Sequence, residues 1–283
     1  MKTFHRRVAV ITGAGSGIGQ ALAVQLAQQG CAVALADKNL DALKLTREMV
    51  QDQDGRCSIH ELDVSDLTAV KAFADTVHKE FGSINMLFNN AGVTLMDTVA
   101  NQSIDDINWL MNINFWGVVY CTQVFLPYIL DAEDAHIINV SSIFGMVAVP
   151  GNSAYNASKF AVRGYTEALR HEYMKSHLNV TCVLPGGVKT GIINNAKFKT
   201  SGLAASKAEM EKRFQSNVKT TPEQAAQQIL NGVLKNKARV IIGKDAKIMD
   251  FVARLFPTTY YHILGIERRA NSQQAPQTNS AIG

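Results

Sequence analysis

The sequence lacks the marks of several functional classes. Its four cysteines, Cys31, Cys57, Cys121 and Cys182, stand far apart. They form neither a CxxC metal knuckle nor a disulfide framework. We expect reduced thiols, mostly buried, in a reducing compartment, and no metal. No stretch holds eighteen consecutive apolar residues, so no membrane span is expected. The amino terminus, MKTFHRRVAVITGAGSG, begins basic, but its apolar run is too short for a secretory signal and a glycine-rich turn follows directly. A cytoplasmic protein is the default reading. Internal repeats are missing, and so is any long block of like charge. The net charge is +4 over 283 residues, from 28 Lys+Arg and 24 Asp+Glu. That balance gives no reason to expect a nucleic-acid partner.

What is present suits one large α/β unit. Hydrophobic residues make up 47% and charged residues 18%, enough to bury a sizeable core. Short apolar, β-branched runs recur at 8–12, 32–36, 58–60, 86–88, 136–140, 180–184 and 239–242. They are near-continuously apolar, the pattern of strands covered on both faces in a parallel sheet. Helix-period stretches such as 19–29, 41–51 and 67–81 alternate with them. Strand and helix in alternation predict a doubly wound sheet with right-handed crossovers. Thr221-Pro222-Glu223-Gln224 reads as a capping box with proline in the first turn, and Ser103 with Asp106 is a similar start signal.

The run 8–12 leads into Gly13-Ala14-Gly15-Ser16-Gly17-Ile18-Gly19 and then a helix pattern. Glycines Gly13, Gly17 and Gly19 suit a tight turn, a close approach of backbone to a pyrophosphate, and close helix–strand packing. The helix start offers free N–H groups and a positive dipole end to phosphate. The second run ends at Asp37, where a carboxylate can accept from adenosine ribose hydroxyls and repel a 2′-phosphate. That favours NAD over NADP, with Lys38 next door able to soften the preference. A plain helix-capping carboxylate is the other reading of Asp37. Asp63 and Val64, just past the third run, are placed to hold the adenine edge through a side chain and an amide.

Tyr155 and Lys159 lie four residues apart in AYNASKFAV, on one helix face. A free tyrosine titrates near 10, and an adjacent ammonium favours its phenolate. Ser142 ends the run 136–140 and so sits at the carboxyl edge of a strand, where open α/β sheets bind ligands. Its hydroxyl can donate to a substrate oxygen that gains charge. Ser141 is the alternative, although a local backbone bond suits it better. Asn89-Asn90-Ala91-Gly92 also follows a strand, and one reading is a turn that ties neighbouring strands through its amides.

Together TGAGSGIG, NNAG, Asn114-Phe115-Trp116-Gly117, Ser142, YNASK and Pro185-Gly186 resemble the motif set of the short-chain dehydrogenase/reductase family, in its order and approximate spacing, over roughly residues 5–245. The resemblance implies a single-domain Rossmann-type fold: a doubly wound, seven-stranded parallel sheet with helices on both faces. It implies Tyr155 as general acid/base and Lys159 as the residue that binds the nicotinamide ribose and lowers the tyrosine pKa. Ser142 would orient the substrate, and Asn114 would hold a water linking Lys159 to solvent. The cofactor would also meet Ser16 and Ile18 of the first loop, and Asn90, Ala91 and Gly92 near the adenosine ribose. Val140 would lie beside it, and Pro185, Gly186, Val188 and Thr190 at the carboxamide end. Lys189 is expected in solvent, or facing an acidic substrate.

The loops 93–98 and 143–151 carry Leu95, Met96, Phe144, Met146, Val147 and Val149. Such a wall suits a lipophilic or aromatic alcohol or ketone, unless these side chains simply pack the loops. Residues 191–217 read as a lid. Residues 1–245 form the expected catalytic domain, 246–269 an amphipathic extension, and 270–283 a loose polar tail. In the extension Ile248, Met249, Phe251, Val252, Leu255 and Phe256 repeat at helical spacing until Pro257. It packs on its own domain, on a twin subunit, or on membrane lipid with help from Arg254, Arg268 and Arg269. A homodimer or homotetramer follows from family habit. A non-catalytic nucleotide-binding regulator on the same fold is the competing function.

Overall fold

The computed structural model describes residues 1–53, 55–191, 218–266 and the backbone of 197–198. The expected tail at 270–283, Arg268, Arg269 and nearly all of the expected lid at 191–217 lie outside these residues.

Seven strands form one parallel sheet: β1 (Val8–Thr12), β2 (Ala32–Asp37), β3 (Cys57–Glu61), β4 (Met86–Asn89), β6 (Ala135–Val140), β7 (Leu178–Pro185) and β9 (Arg239–Ile242). Two short strands, β5 (Leu95–Met96) and β8 (Lys197–Phe198), pair separately in parallel. The main order is β3-β2-β1-β4-β6-β7-β9. All seven expected runs are strands, with ends shifted by at most two residues. They are apolar at both parities because both faces are covered. Ala9 and Ile11 of β1 pack against α1 (Gly17–Ala27), α2 (Leu40–Gln51) and α7 (Pro222–Leu234). Val10, between them, points to α3 (Leu67–Phe81), α5 (Gly117–Leu130) and α6 (Ser153–Glu172). Two cores flank one sheet, as the resemblance implied.

Helix starts follow the local signals. Ser103 caps α4 (Ile104–Met111) by accepting from the Asp106 amide, and Thr221 closes a full capping box with Gln224 on α7. Helix α1 begins at Gly17 rather than near Gly19, so the glycine loop supplies its first turn.

Between α4 and α5 the chain forms one π-helical turn, Asn112–Trp116, which no periodicity had indicated. The whole run Ile104–Leu130 is long and apolar enough to cross a membrane by composition. Within it Leu110, Phe125 and Ile129 are fully buried core residues, while Ile104 and Trp116 are exposed. Helix α8 (Lys244–Leu255) and the short α9 (Tyr260–Ile263) close the described chain.

The winding direction reverses between β1 and β4. Connections from β1 run outward to β2 and β3, and those from β4 run the other way to β9. The crevice at their carboxyl ends is where such sheets take ligands, and every motif singled out above falls beside it.

Candidate active site

The glycine loop is built for close approach. Gly13 has φ +65°, and a Cβ there would lie 2.8 Å from the Ala91 Cα. At Gly19 a Cβ would lie 2.2 Å from the Gly13 carbonyl oxygen, so no side chain fits between loop and helix. Ser16, the N-cap of α1, gives its side chain to no helix amide, and the first turn holds no acid. The amide groups of Gly17, Ile18 and Gly19 therefore face the crevice end of α1 without an anionic cap. This cradle fits the pyrophosphate of a dinucleotide.

Asp37 closes the loop from β2. One carboxylate oxygen accepts from the Gly15 amide at 3.0 Å and the other from the Asn39 amide at 2.9 Å. Helix α2 is capped by Asn39, not by Asp37. Lys38 turns to Asp63, 2.7 Å away. Burial alone would raise the Asp63 carboxyl, but hydrogen bonds from Lys38 and Ser65 outweigh it and hold it low. Val64 is buried next to it.

The amides of the NNAG segment tie strands together. Asn89 donates to Asn139 on β6 at 2.8 Å and to Thr122 on α5 at 3.0 Å. Asn90 donates to the carbonyls of Thr12 and Gly13, and the Ala91 amide to the Thr12 hydroxyl. The tying role of these amides is thus plain in the geometry.

Tyr155 and Lys159 face the same way from α6, both buried, with the ammonium 5.7 Å from the phenol ring centre. Lys159 Nζ donates to the Val140 carbonyl at 3.1 Å. Asn114, fully buried on the π-helical turn, clips to Val93 in both directions: its Oδ1 accepts from Val93 N at 2.8 Å and its Nδ2 donates to Val93 O at 2.9 Å. A further bond reaches Ser158 at 3.1 Å. A Cβ placed on Gly92 would lie 3.3 Å from Asn114 Oδ1 and 3.4 Å from Lys159 Nζ, which shows how closely the three converge. The extra residue of a π-turn explains why a helical asparagine reaches that far inward.

The two serines divide. Ser141 donates to the Lys159 backbone carbonyl at 2.7 Å, a structural bond. Ser142 accepts from the Phe144 amide at 3.1 Å, and its hydroxyl lies near enough to the Tyr155 phenol to favour the phenolate. Burial pushes Tyr155 up to about 12, with the Ser142 hydroxyl offsetting part of the rise. Burial also brings Lys159 down to about 8. A downward shift of the phenol was expected from the lysine; in the protein alone desolvation prevails.

After β7, the Gly186 amide donates to Ile242 and the Gly187 amide to Asp245 of α8 at 3.0 Å. Val188 pairs with Thr220, and the Thr190 side chain lies against Gly17. Pro185–Thr190 is thereby folded over the phosphate loop, while Lys189 is exposed. Asp245 escaped sequence reasoning, because its partner lies 58 positions away. The loop after Ser142 is held by Asn156, which donates to Val149 at 2.9 Å, and by Tyr260, whose hydroxyl accepts from Ala148 at 3.0 Å. Of the expected apolar wall, Leu95 and Val147 are fully buried packing residues. Phe144, half-buried, meets Tyr155 edge to face at 6.3 Å.

The family model of the short chain dehydrogenases matches residues 7–201. This chain belongs to that family. As a short-chain dehydrogenase it is an oxidoreductase. Its relatives include a Mycobacterium tuberculosis protein named as an oxidoreductase, SadH, 43% identical over 267 residues, which cover 93% of this chain and 96% of the relative. Among solved structures, a short-chain dehydrogenase/reductase from Burkholderia phymatum in complex with NAD superposes with a TM-score of 0.80. It is 27% identical, and the match covers 100% of both chains. An alcohol dehydrogenase from Thermococcus sibiricus complexed with 5-hydroxy-NADP is 25% identical, with a TM-score of 0.70 and coverage of 84% and 94%.

Proposed function

We propose that this short-chain dehydrogenase interconverts a secondary alcohol and a ketone, of lipophilic or aromatic character, with NAD(H). The observation that carries the proposal is one constellation: buried Tyr155, Ser142 and Lys159 together, with the Lys159 ammonium 5.7 Å from the phenol ring and Phe144 across its edge. Gly13, Ser16, Gly17, Ile18 and Gly19 would hold the pyrophosphate, and Asp37 the adenosine ribose. Asp63, Val64 and Asn90–Gly92 would flank the adenosine half. Val140, Lys159, Pro185, Gly186, Val188 and Thr190 would flank the nicotinamide half. When bound, the nicotinamide supplies or accepts the hydride.

The protein's residues handle the proton. During oxidation Tyr155 Oη takes the hydroxyl proton of the alcohol, and during reduction it returns one to the ketone oxygen. Ser142 Oγ donates to the same substrate oxygen as charge gathers there. Lys159 favours the phenolate by its charge, and Asn114 fixes the segment against which Lys159 sits. NAD is favoured because both Asp37 oxygens keep lone pairs for ribose hydroxyls while Lys38 is engaged by Asp63. The semi-exposed Phe144 and Met146 support an apolar substrate. We also place the catalytic unit at residues 1–245, with 246–269 as its extension. A homodimer or homotetramer agrees with exposed Trp116 and Phe160, and four free thiols agree with a reducing, cytoplasmic setting.

The test is Tyr155→Phe with a panel of steroids, long-chain alcohols and aromatic alcohols, read by NADH absorbance. Turnover should fall by about a thousandfold while NADH still binds. Retention of most activity would sink the assignment, and an active-site-intact chain that turns over nothing in the panel would favour a nucleotide-binding regulator.

A further inference from the structure

The carboxyl-terminal face of the molecule combines two properties that seldom coexist on a free surface. Its first property is apolar. Helix α8 packs Met249 and Ala253 inward, onto Ile143 and Val147, together with Tyr260 and Leu264. On its outer side Ile248, Phe251 and Leu255 stand 59%, 64% and 56% exposed, continued by Phe256 at 47% and Ile263 at 53%. A contiguous set of large exposed apolar groups marks an interaction surface rather than ordinary scatter.

The second property is charge. Residues 224–266 hold six Lys or Arg and two Asp. Both acids are committed, Asp245 to the Gly187 amide and Asp250 to Arg254. The excess of four positive charges equals the net charge of the entire chain. Lys235, Lys237 and Lys247, with Arg239, line a cleft of about 410 Å³ where α7, β9 and α8 meet. Arg239 pairs with Glu167, whereas the three lysines have no acidic partner among the described residues. Lys244 and Lys247 alternate with Ile248 and Phe251 on the outer side of α8, so cationic and apolar groups share one face.

We propose that this face docks on an anionic lipid bilayer. An in-plane amphipathic helix with basic flanks buries its apolar side at the headgroup boundary and draws on the negative surface potential. A second copy of the chain fits less well. A two-fold contact here would bring three lysines without an acidic partner among the described residues up to a copy of the same basic face. Nucleic acid would leave Phe251, Leu255 and Phe256 in water. Docking would also set α8, whose inner side packs on the loop that follows Ser142, at the lipid boundary. The proposal does not depend on the substrate reading.

The experiment is flotation of the full chain with vesicles of phosphatidylglycerol and phosphatidylcholine, against phosphatidylcholine alone. Binding should require the anionic lipid and weaken in high salt. Lys247→Ala should lower vesicle affinity about fivefold, and Phe251→Glu by at least about tenfold. Both sites are exposed, so melting temperatures should stay unchanged. Absence of binding, or equal binding by Phe251→Glu, overturns the proposal. A chain that ignores vesicles but falls to a smaller oligomer in light scattering when Phe251→Glu is made overturns it too, and assigns the face to a second copy. Alcohol oxidation in free solution is a separate readout, so the two readings can fail independently.

Discussion

Replacing Lys159 by methionine should make this protein more stable and less active, and the gain should fade as pH rises. Lys159 is 4% exposed and titrates near 8 instead of the ordinary 10.5, because burial penalises its charge. The unfolded chain keeps the proton up to about 10.5 and the folded chain releases it from about 8. Between those values the unfolded state binds more protons, so this group makes the fold steadily more stable as pH increases. Below 8 the buried charge costs the fold about 3 kcal/mol, at about 1.4 kcal/mol per pH unit. Methionine keeps the length and removes the charge. Loss of the bond to the Val140 carbonyl takes back about 1 kcal/mol at every pH. The variant should therefore lead by about 2 kcal/mol at pH 7 and by well under half of that at pH 9.5. Cys31 and Cys121, each pushed up to about 12 by burial, lower stability above pH 9 in both proteins alike, whereas Cys182 faces Lys159 and its shift changes with the substitution. The difference between the two proteins reads the lysine together with its influence on Cys182. Urea unfolding at fixed protein concentration measures it: with m about 3 kcal/mol/M, the midpoint advantage is about 0.7 M at pH 7 and well under half of that at pH 9.5. An advantage that does not change with pH, or a variant less stable at pH 7, would refute the account of a charge held in the active site at the expense of the fold.

Other outcomes follow from the same geometry. Gly19→Ala should weaken NADH binding by more than about tenfold in a fluorescence titration, since its Cβ has only 2.2 Å to the Gly13 carbonyl oxygen; unchanged affinity would contradict the cradle. Asp37→Ser should move the NADPH-to-NADH affinity ratio up by about tenfold or more by removing a charge beside the ribose, and should cost about 1–2 kcal/mol because the Gly15 and Asn39 amides lose their acceptor. Alcohol oxidation should accelerate with pH across the neutral range, because Tyr155 is held as a phenol with a pKa of about 12 and the base form grows as pH rises; initial rates from pH 6 to 10 that stay flat would remove Tyr155 as the base. Thr221→Ala should lower stability by about 1 kcal/mol in chemical denaturation through loss of the α7 capping box.

Much of this architecture is written in local order. Strands covered on both faces are apolar at most positions, so their seven runs stand out from amphipathic helices without any knowledge of packing. Ser103 and Thr221 announce their helices because a cap needs only residues three positions away. The glycine loop is legible for a related reason: its turn is local, and only a residue without Cβ fits. The candidate site residues could be singled out by type, order and spacing. What those residues touch could not. Asn114 lies on a π-turn that leaves no periodic trace, and its amide is spent on Val93 and Ser158. Ser141 and Ser142 are adjacent and chemically identical, yet one bonds the Lys159 backbone and the other the Phe144 amide beside the phenol. Asp245 reads as an ordinary first-turn acid until α8 is brought beside Gly187. The shifts of Tyr155 and Lys159 are likewise tertiary, because desolvation depends on how much protein covers a group. Sequence by itself determined which backbone conformations and which chemical groups are available. The tertiary structure decided their burial, their partners and the face left bare on α8, because those depend on contacts between segments far apart in the chain.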